Sequence, residues 1–314
     1  MLAAVACGAA AILARGTAPL ARARGWTDPR PDAPELERKR GQAPVPFTGA
    51  WSIGLAGVIG LAVALLTGGS PSGAGWCALD LNASLAAALL AGAALLGLAD
   101  DLRPGGFAPR SQLAVQALLC LPLAWVWGVW ALPFGLAAFA AVNTADHSDG
   151  WCASFTAAAG GTAAPLLGGA SLGFLTANLD RGLRGERGPT AFLGDGGSNL
   201  LAMWVLLQPE LWPALVVPAA DLARVSVERL LHGQAPWVGD RRHLGQRLQA
   251  AGWPLLARLL TWVAAVALAT RGASAVSMRV GESSMELGAG SALAVALVVL
   301  LGARPPRWPR SSRA

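Results

Sequence analysis

The chain has 314 residues, 54% of them hydrophobic and 13% charged, with a mean hydropathy of +0.49. A soluble domain carries about 25% charged residues, so this composition excludes a globule with a continuous polar coat and points to an integral membrane protein. The formal net charge of +6 comes from arginines set in stretches between apolar runs, with no interleaved aromatic platform, which argues against a nucleic-acid partner.

Apolar runs follow one another at 2–14, 48–67, 83–99, 112–127, 129–145, 151–168, 171–179, 198–208, 212–222, 254–270 and 289–302. They predict an all-α, polytopic transmembrane helical bundle of about 9–11 membrane segments in a single domain, 1–314. The first run, in MLAAVACGAAAILARG, lacks a basic stretch before its apolar part. It reads as a short first span, or one clipped by a misassigned start, rather than a cleaved signal. An Arg- and Pro-rich loop is expected over 15–47 and a basic tail over 303–314, lying against anionic headgroups. Arginines also gather in 100–111, 179–197 and 221–253, whereas 68–82, 128–133 and 209–213 hold no Arg or Lys. The positive-inside rule then puts the charged loops on the cytoplasmic face of the inner (plasma) membrane. Sharing one face requires each of 151–178 and 198–220 to cross twice in too few residues for two full spans. Short or re-entrant hairpins are expected there, tolerable only when packed inside other helices. A single crossing in each place is the alternative, and it would move 179–197 to the far side. Cys7, Cys77, Cys120 and Cys152 show neither zinc-site nor disulfide-framework spacing.

Three acidic stretches fall at the predicted cytoplasmic edge: Asp100 and Asp101 in GLADDLRP, Asn143, Asp146 and Asp149 in VNTADHSDG, and Asp195 in AFLGDGGSN. Each has a plain structural reading, as a stop signal or a tight turn. Asp146 and Asp149, three apart, would share one helical face and repel each other without a basic neighbour. Ionisable groups at a membrane edge are functional candidates by default. Clustered carboxylates suit a hard divalent ion that also binds substrate phosphates, glycines admit a phosphate close to the backbone, and arginines grip anionic oxygens. The combination reads as metal-assisted phosphoryl transfer involving a membrane-embedded acceptor.

In these stretches the chain resembles the polyprenyl-phosphate N-acetylhexosamine-1-phosphate transferases, and within them the undecaprenyl-phosphate GlcNAc-1-phosphate branch more than the phospho-MurNAc-pentapeptide branch. KRGQAPVPFTGA is similar to the family's RKxHxxPxPRxGG, GLADDLRP to DDxxD, and VNTADHSDG to NxxDGxDG. GFLTANL and AFLGDGGSN are similar to GFLxxN and FMGDxGS, and PAADLARVSVERLLHGQAPWVGDRRHLGQRL to a PxxDxxxV segment ending in HLHH. The resemblance implies catalytic roles for Asp100, Asp101, Asp146 and Asp149, metal ligation by Asp195 and Asn143, and substrate contacts from Lys39, Asn178, Phe192, Gly194, Arg241, Arg242 and His243. It further implies Mg²⁺, with Mn²⁺ as the alternative ion, a UDP-activated amino sugar, a polyprenyl phosphate lipid and a membrane setting, with a homodimer left open.

Five positions stand out as departures from the family pattern. Pro104 stands where DDxxD has its third acid, Gln112 where a Lys follows that motif, and His147 where NxxDGxDG has its first Gly. HLHH becomes His243-Leu244-Gly245-Gln246. These leave the sugar donor open and keep alive a second reading, a non-catalytic lipid-phosphate or nucleotide-sugar binder or scaffold. A transporter fits less well, because the charges gather at one edge rather than at mid-membrane.

Overall fold

The computed structural model describes residues 1–28, 44–77, 81–161, 163–185, 188–237, 241–277 and 295. Lys39, the tail 303–314 and all of the expected last span 289–302 but residue 295 lie outside the described residues. The fold is a helical bundle: α1 (Leu2–Ala23), α2 (Gly49–Leu66), α3 (Ala83–Leu102), α4 (Pro109–Trp127), α5 (Ala131–Ala145), α6 (Trp151–Gly160), α7 (Pro165–Asn178), α8 (Asp180–Leu183), α9 (Gly194–Leu206), a 3₁₀ segment (Pro209–Leu215), α10 (Val216–Leu231), α11 (Leu244–Ala250) and α12 (Leu255–Ser277). α1, α2 and α3 are each long and apolar enough to cross a membrane. Their outward faces are apolar too, as at Leu55, Val58 and Ile59 on α2, and α4 exposes Leu118, Leu121 and Trp125. Water would not tolerate that much exposed hydrocarbon, but lipid does.

Three stretches differ from the sequence expectation. α1 runs past Arg15 to Ala23, where the exposed Arg15 side chain lies across the surface to α7 and donates to Thr176 Oγ1 at 2.6 Å. The Arg-rich loop therefore begins at 24 rather than 15, and its two ends pair as a short antiparallel ladder, β1 (Thr27–Asp28) with β2 (Val45–Pro46). The run 151–168 divides at Gly161, and Pro165 opens α7, since proline suits the first turn of a helix and not its interior. α10 continues through the charged residues to Leu231, where a loop was expected. Its inward face, carrying Asp221, Val225 and Arg229, is buried.

The hairpin expected over 151–178 is present. α6 and α7 pack together, with ten and fourteen residues, about 15 and 21 Å at 1.5 Å per residue. Both fall short of the ~30 Å hydrocarbon layer. Gly169 and Gly173 set α7 against the backbone of α1 at Ala3 and Cys7, and Ala6, Ala10, Ala14 and Ala18 of α1 are buried. The far tip of the hairpin is covered by 68–77: Leu166 N donates to Ala74 O at 3.4 Å, and Trp204 Nε1 to Gly75 O at 3.0 Å. The second expected hairpin takes another form. α10 packs on α5 and α12, and the 3₁₀ segment separates it from α9.

At the centre stands α9, buried at every residue from Gly196 to Leu206, as a helix apolar on all sides must be. Gly57 on α2 faces the Trp204 ring, and Gly97 on α3 lies against the Asp195 backbone. A side chain at Gly173 would strike the Cys7 carbonyl, whereas one at Gly8 meets nothing within 4 Å. Gly173→Val should cost about 1–3 kcal/mol through overpacking and lower the melting temperature in detergent, with Gly8→Ala unchanged or slightly stabilised as the control.

Candidate functional site

The C-terminal ends of α3, α5 and α7 meet the N-terminal end of α9 at one end of the bundle. Because Gly97 has no side chain, α3 approaches the first turn of α9 closely enough for its last carboxylate to reach the free amides there. Asp101 Oδ1 accepts from Asp195 N at 3.0 Å and Oδ2 from Gly196 N at 2.9 Å. This is an N-cap supplied by another helix, satisfying donors that the helix itself leaves open. Gly194 has φ +72°, and a Cβ there would stand 2.7 Å from Asp101 Oδ2 and 3.0 Å from Phe47 Cβ. Phe192 belongs to the same junction through its backbone: its N–H donates to Pro46 O at 2.8 Å, and its carbonyl accepts from Thr48 N at 3.0 Å. Asp100 turns away and accepts from Phe107 N, closing the 103–107 turn.

The turn after α5 brings the second acidic stretch to this junction. Asn143 Oδ1 accepts from Ser198 Oγ on α9 at 3.4 Å. Gly150, at φ +80°, donates its N–H to Asn178 Oδ1 at 2.6 Å, while Asn178 Nδ2 donates to Ala191 O at 2.8 Å. Asn178 thus braces the acidic turn against the strand leading into α9. Burial, followed by the charges of Asp195, Asp101 and Asp149, pushes the Asp146 carboxyl well above its usual range. Burial likewise raises Asp149 to about 6, with Arg258 opposing. Crowded carboxylates of this kind favour either a proton or a cation.

The third part of the site is basic. Asp221, 1% exposed, accepts from Arg224 Nη2 at 2.6 Å, from Leu244 N at 3.2 Å and from His243 Nδ1 at 3.1 Å. Arg224 and Arg247 both donate to the Arg242 carbonyl, at 2.7 and 2.9 Å, and both pair with Glu228. His243 is therefore a held residue, and Arg242 takes part through its backbone. Arg241 is exposed. Sequence reasoning passed over Asp221, Glu228 and Arg258. The first two carried a usable signal, since Asp221, Arg224 and Glu228 follow i, i+3, i+7 spacing on one helical face.

His147 joins the acidic and basic halves. Its Nε2 accepts from Gly245 N at 3.2 Å, which makes Nδ1 the protonated nitrogen, donating to Thr144 O at 2.6 Å. The ring stacks on His243 with centroids 4.8 Å apart and lies 5.0 Å from Trp151. Among the described residues, His147, Asp221 and His243 bring ligand-type atoms within 4.8 Å of one another. Those atoms already serve the hydrogen bonds just described, beside Arg224 and Arg229, so the set is a hydrogen-bond relay rather than a metal centre. Divalent-ion chemistry fits the acidic half better, where burial and the charges of Asp195, Asp101 and Asp149 all raise Asp146.

No known family model matches the chain. It is similar to an undecaprenyl-phosphate alpha-N-acetylglucosaminyl 1-phosphate transferase of Yersinia pestis, 29% identical over 184 residues that cover 46% of this chain and 49% of the relative. The chain thus spans about half the length of the curated relative it matches.

Asp101→Ala leaves the first amides of α9 without an acceptor and should destabilise the protein by about 1–2 kcal/mol, measured by thermal unfolding in detergent. Burial holds His147 near 4, below the ordinary 6.5. The unfolded chain therefore takes up this proton first as pH falls. The contribution of His147 to stability is complete above about 6.5 and is lost as pH falls toward about 4. His147→Gln should flatten that part of the stability–pH curve.

Proposed function

We propose that the protein transfers a sugar-1-phosphate, of the N-acetylhexosamine class, from a UDP-sugar to a polyprenyl phosphate such as undecaprenyl phosphate, releasing UMP for envelope polysaccharide or peptidoglycan assembly. The observation that carries this reading is the meeting of Asp101, Asp146, Asp149 and Asp195 at one end of an apolar bundle, with an arginine network beside them. The name of the similar Yersinia pestis protein supports it.

In this reading an oxygen of the prenyl phosphate attacks the β-phosphorus of the UDP-sugar. A new P–O bond forms, the bond between the β-phosphorus and the bridging oxygen breaks, and UMP leaves with that oxygen. Asp146 and Asp195 would hold Mg²⁺, or Mn²⁺, with Asn143 alongside. An ion bound there supplies charge neutralisation on the diphosphate, in the way Mg²⁺ binds through one or two carboxylates plus substrate phosphates. Asp101 works through α9, fixing the backbone that presents Asp195. Asp100 turns away to accept from Phe107 N, so in this reading it shapes the 103–107 turn beside the acceptor. His243 and the Arg242 backbone would shape the donor side, and the arginine-rich loops support a cytoplasmic position for this end by the positive-inside rule.

A second reading, a binder without turnover, is favoured by the internal pairing of the basic network, which leaves Arg224 and Arg247 engaged with Asp221 and Glu228. Purified protein with Mg²⁺, undecaprenyl phosphate and a panel of UDP-N-acetylhexosamines should release UMP, and Asp195→Asn or Asp146→Asn should lower the rate about 10²-fold or more. Ligand-dependent thermal stabilisation with no UMP from any donor would select the binder instead.

A further inference from the structure

Two of the departures from the family pattern, His147 and Gly245, are 98 residues apart in sequence and touch in space. Gly245 sits where nothing larger fits: a Cβ there would lie 2.7 Å from Trp151 Cε2, 2.8 Å from His147 Nε2 and 2.9 Å from Ser148 Oγ. Two of the three, Trp151 and His147, are held in place. Trp151 is fully buried and tied to Trp262, whose Nε1 donates to its carbonyl at 3.1 Å. His147 is fixed by Thr144 O on one side and Gly245 N on the other. A second bond crosses the same contact, from Gln246 Nε2 to His147 O at 3.4 Å.

We infer that His147 and Gly245 form one interlocked pair, in which the imidazole fills the space a side chain at 245 would take and makes His147 a positioning residue of the site. It holds the turn bearing Asp146 and Asp149 in register with the 241–247 segment. The register runs onward through the stack on His243 to Asp221 and Arg224. The resembled motifs place glycine at the position of His147 and histidine at that of Gly245. The two departures are thus opposite sides of one contact, with an imidazole kept at the junction but supplied from the other segment. The inference rests on the proposed transferase activity for its kinetic consequence, while the pairing itself rests on packing alone.

The full chain in detergent, with the substitutions His147→Gly, Gly245→His and the two combined, tests it by UMP release and thermal unfolding. His147→Gly should lower kcat/KM for the donor by about 10- to 100-fold, as small misplacements of reacting groups do. Gly245→His alone should lower both stability and rate, and the combined variant should recover at least about 10-fold over the worse single one. His147→Gln, whose amide oxygen can reach Gly245 N, should retain more activity than His147→Asn, which is long enough only for Thr144. Unchanged kinetics in His147→Gly, equal loss in Gln and Asn, or additive losses in the combined variant would overturn the inference. If the wild-type protein releases no UMP, the transferase reading fails on its own. The pair is then judged by melting temperature: coupled shifts in the double-variant cycle uphold it, and additive shifts reject it.

Discussion

Two hydrogen bonds from the start of α9 to the Asp101 carboxylate govern the rest of the site. A helix that begins against packed neighbours leaves its first amides without an intrahelical acceptor, and an acceptor brought to them is worth about 1–2 kcal/mol. The usual remedy is a Ser, Thr, Asp or Asn just before the first turn. Leu193 occupies that position here and offers no side-chain cap. The acceptor comes from α3 instead, which obliges α3 to approach within touching distance and makes Gly97 necessary. Once those two helices are locked, the places of Asp195, of the Phe192 strand and of the 45–48 segment follow.

A division of labour among the acids results. They look equivalent along the chain, as carboxylates at the ends of apolar runs. Their surroundings separate them: Asp101 holds backbone amides, Asp100 closes a turn, Asp149 lies under the influence of Arg258, and Asp146 is pressed by burial and by the charges of Asp195, Asp101 and Asp149. The pair with most to gain from a cation is Asp146 with Asp195, and both stand on turns held by other residues. Preorganisation of this kind lets a site hold repelling charges apart without rearranging when a ligand arrives.

The bundle class, the membrane setting, the short α6–α7 hairpin and the meeting of three acidic stretches were legible in the sequence, because composition and apolar run length report directly on burial in lipid. The helical continuation of α1 through Arg15 and of α10 through Asp221 was not. In both places a charged residue looked like the edge of a membrane segment, but its partner lay on a distant helix: Thr176 for Arg15, His243 and Leu244 for Asp221. Pairing between distant segments leaves no local trace. For the same reason His147 and Gly245 read separately as losses from two motifs, and their contact turns them into a single packing solution.

The brevity of the α6–α7 hairpin bears on how the chain enters the bilayer. Helices of ten and fourteen residues cannot partition into lipid as independent spans. Their glycine-bearing faces need α1 at Ala3 and Cys7, and their tip needs the 68–77 segment. The place of 151–178 in the bilayer therefore depends on α1 and on 68–77, and not on its own length. Shortening or loosening α1 would then be felt at the far end of the hairpin, in the segment that joins the two halves of the site.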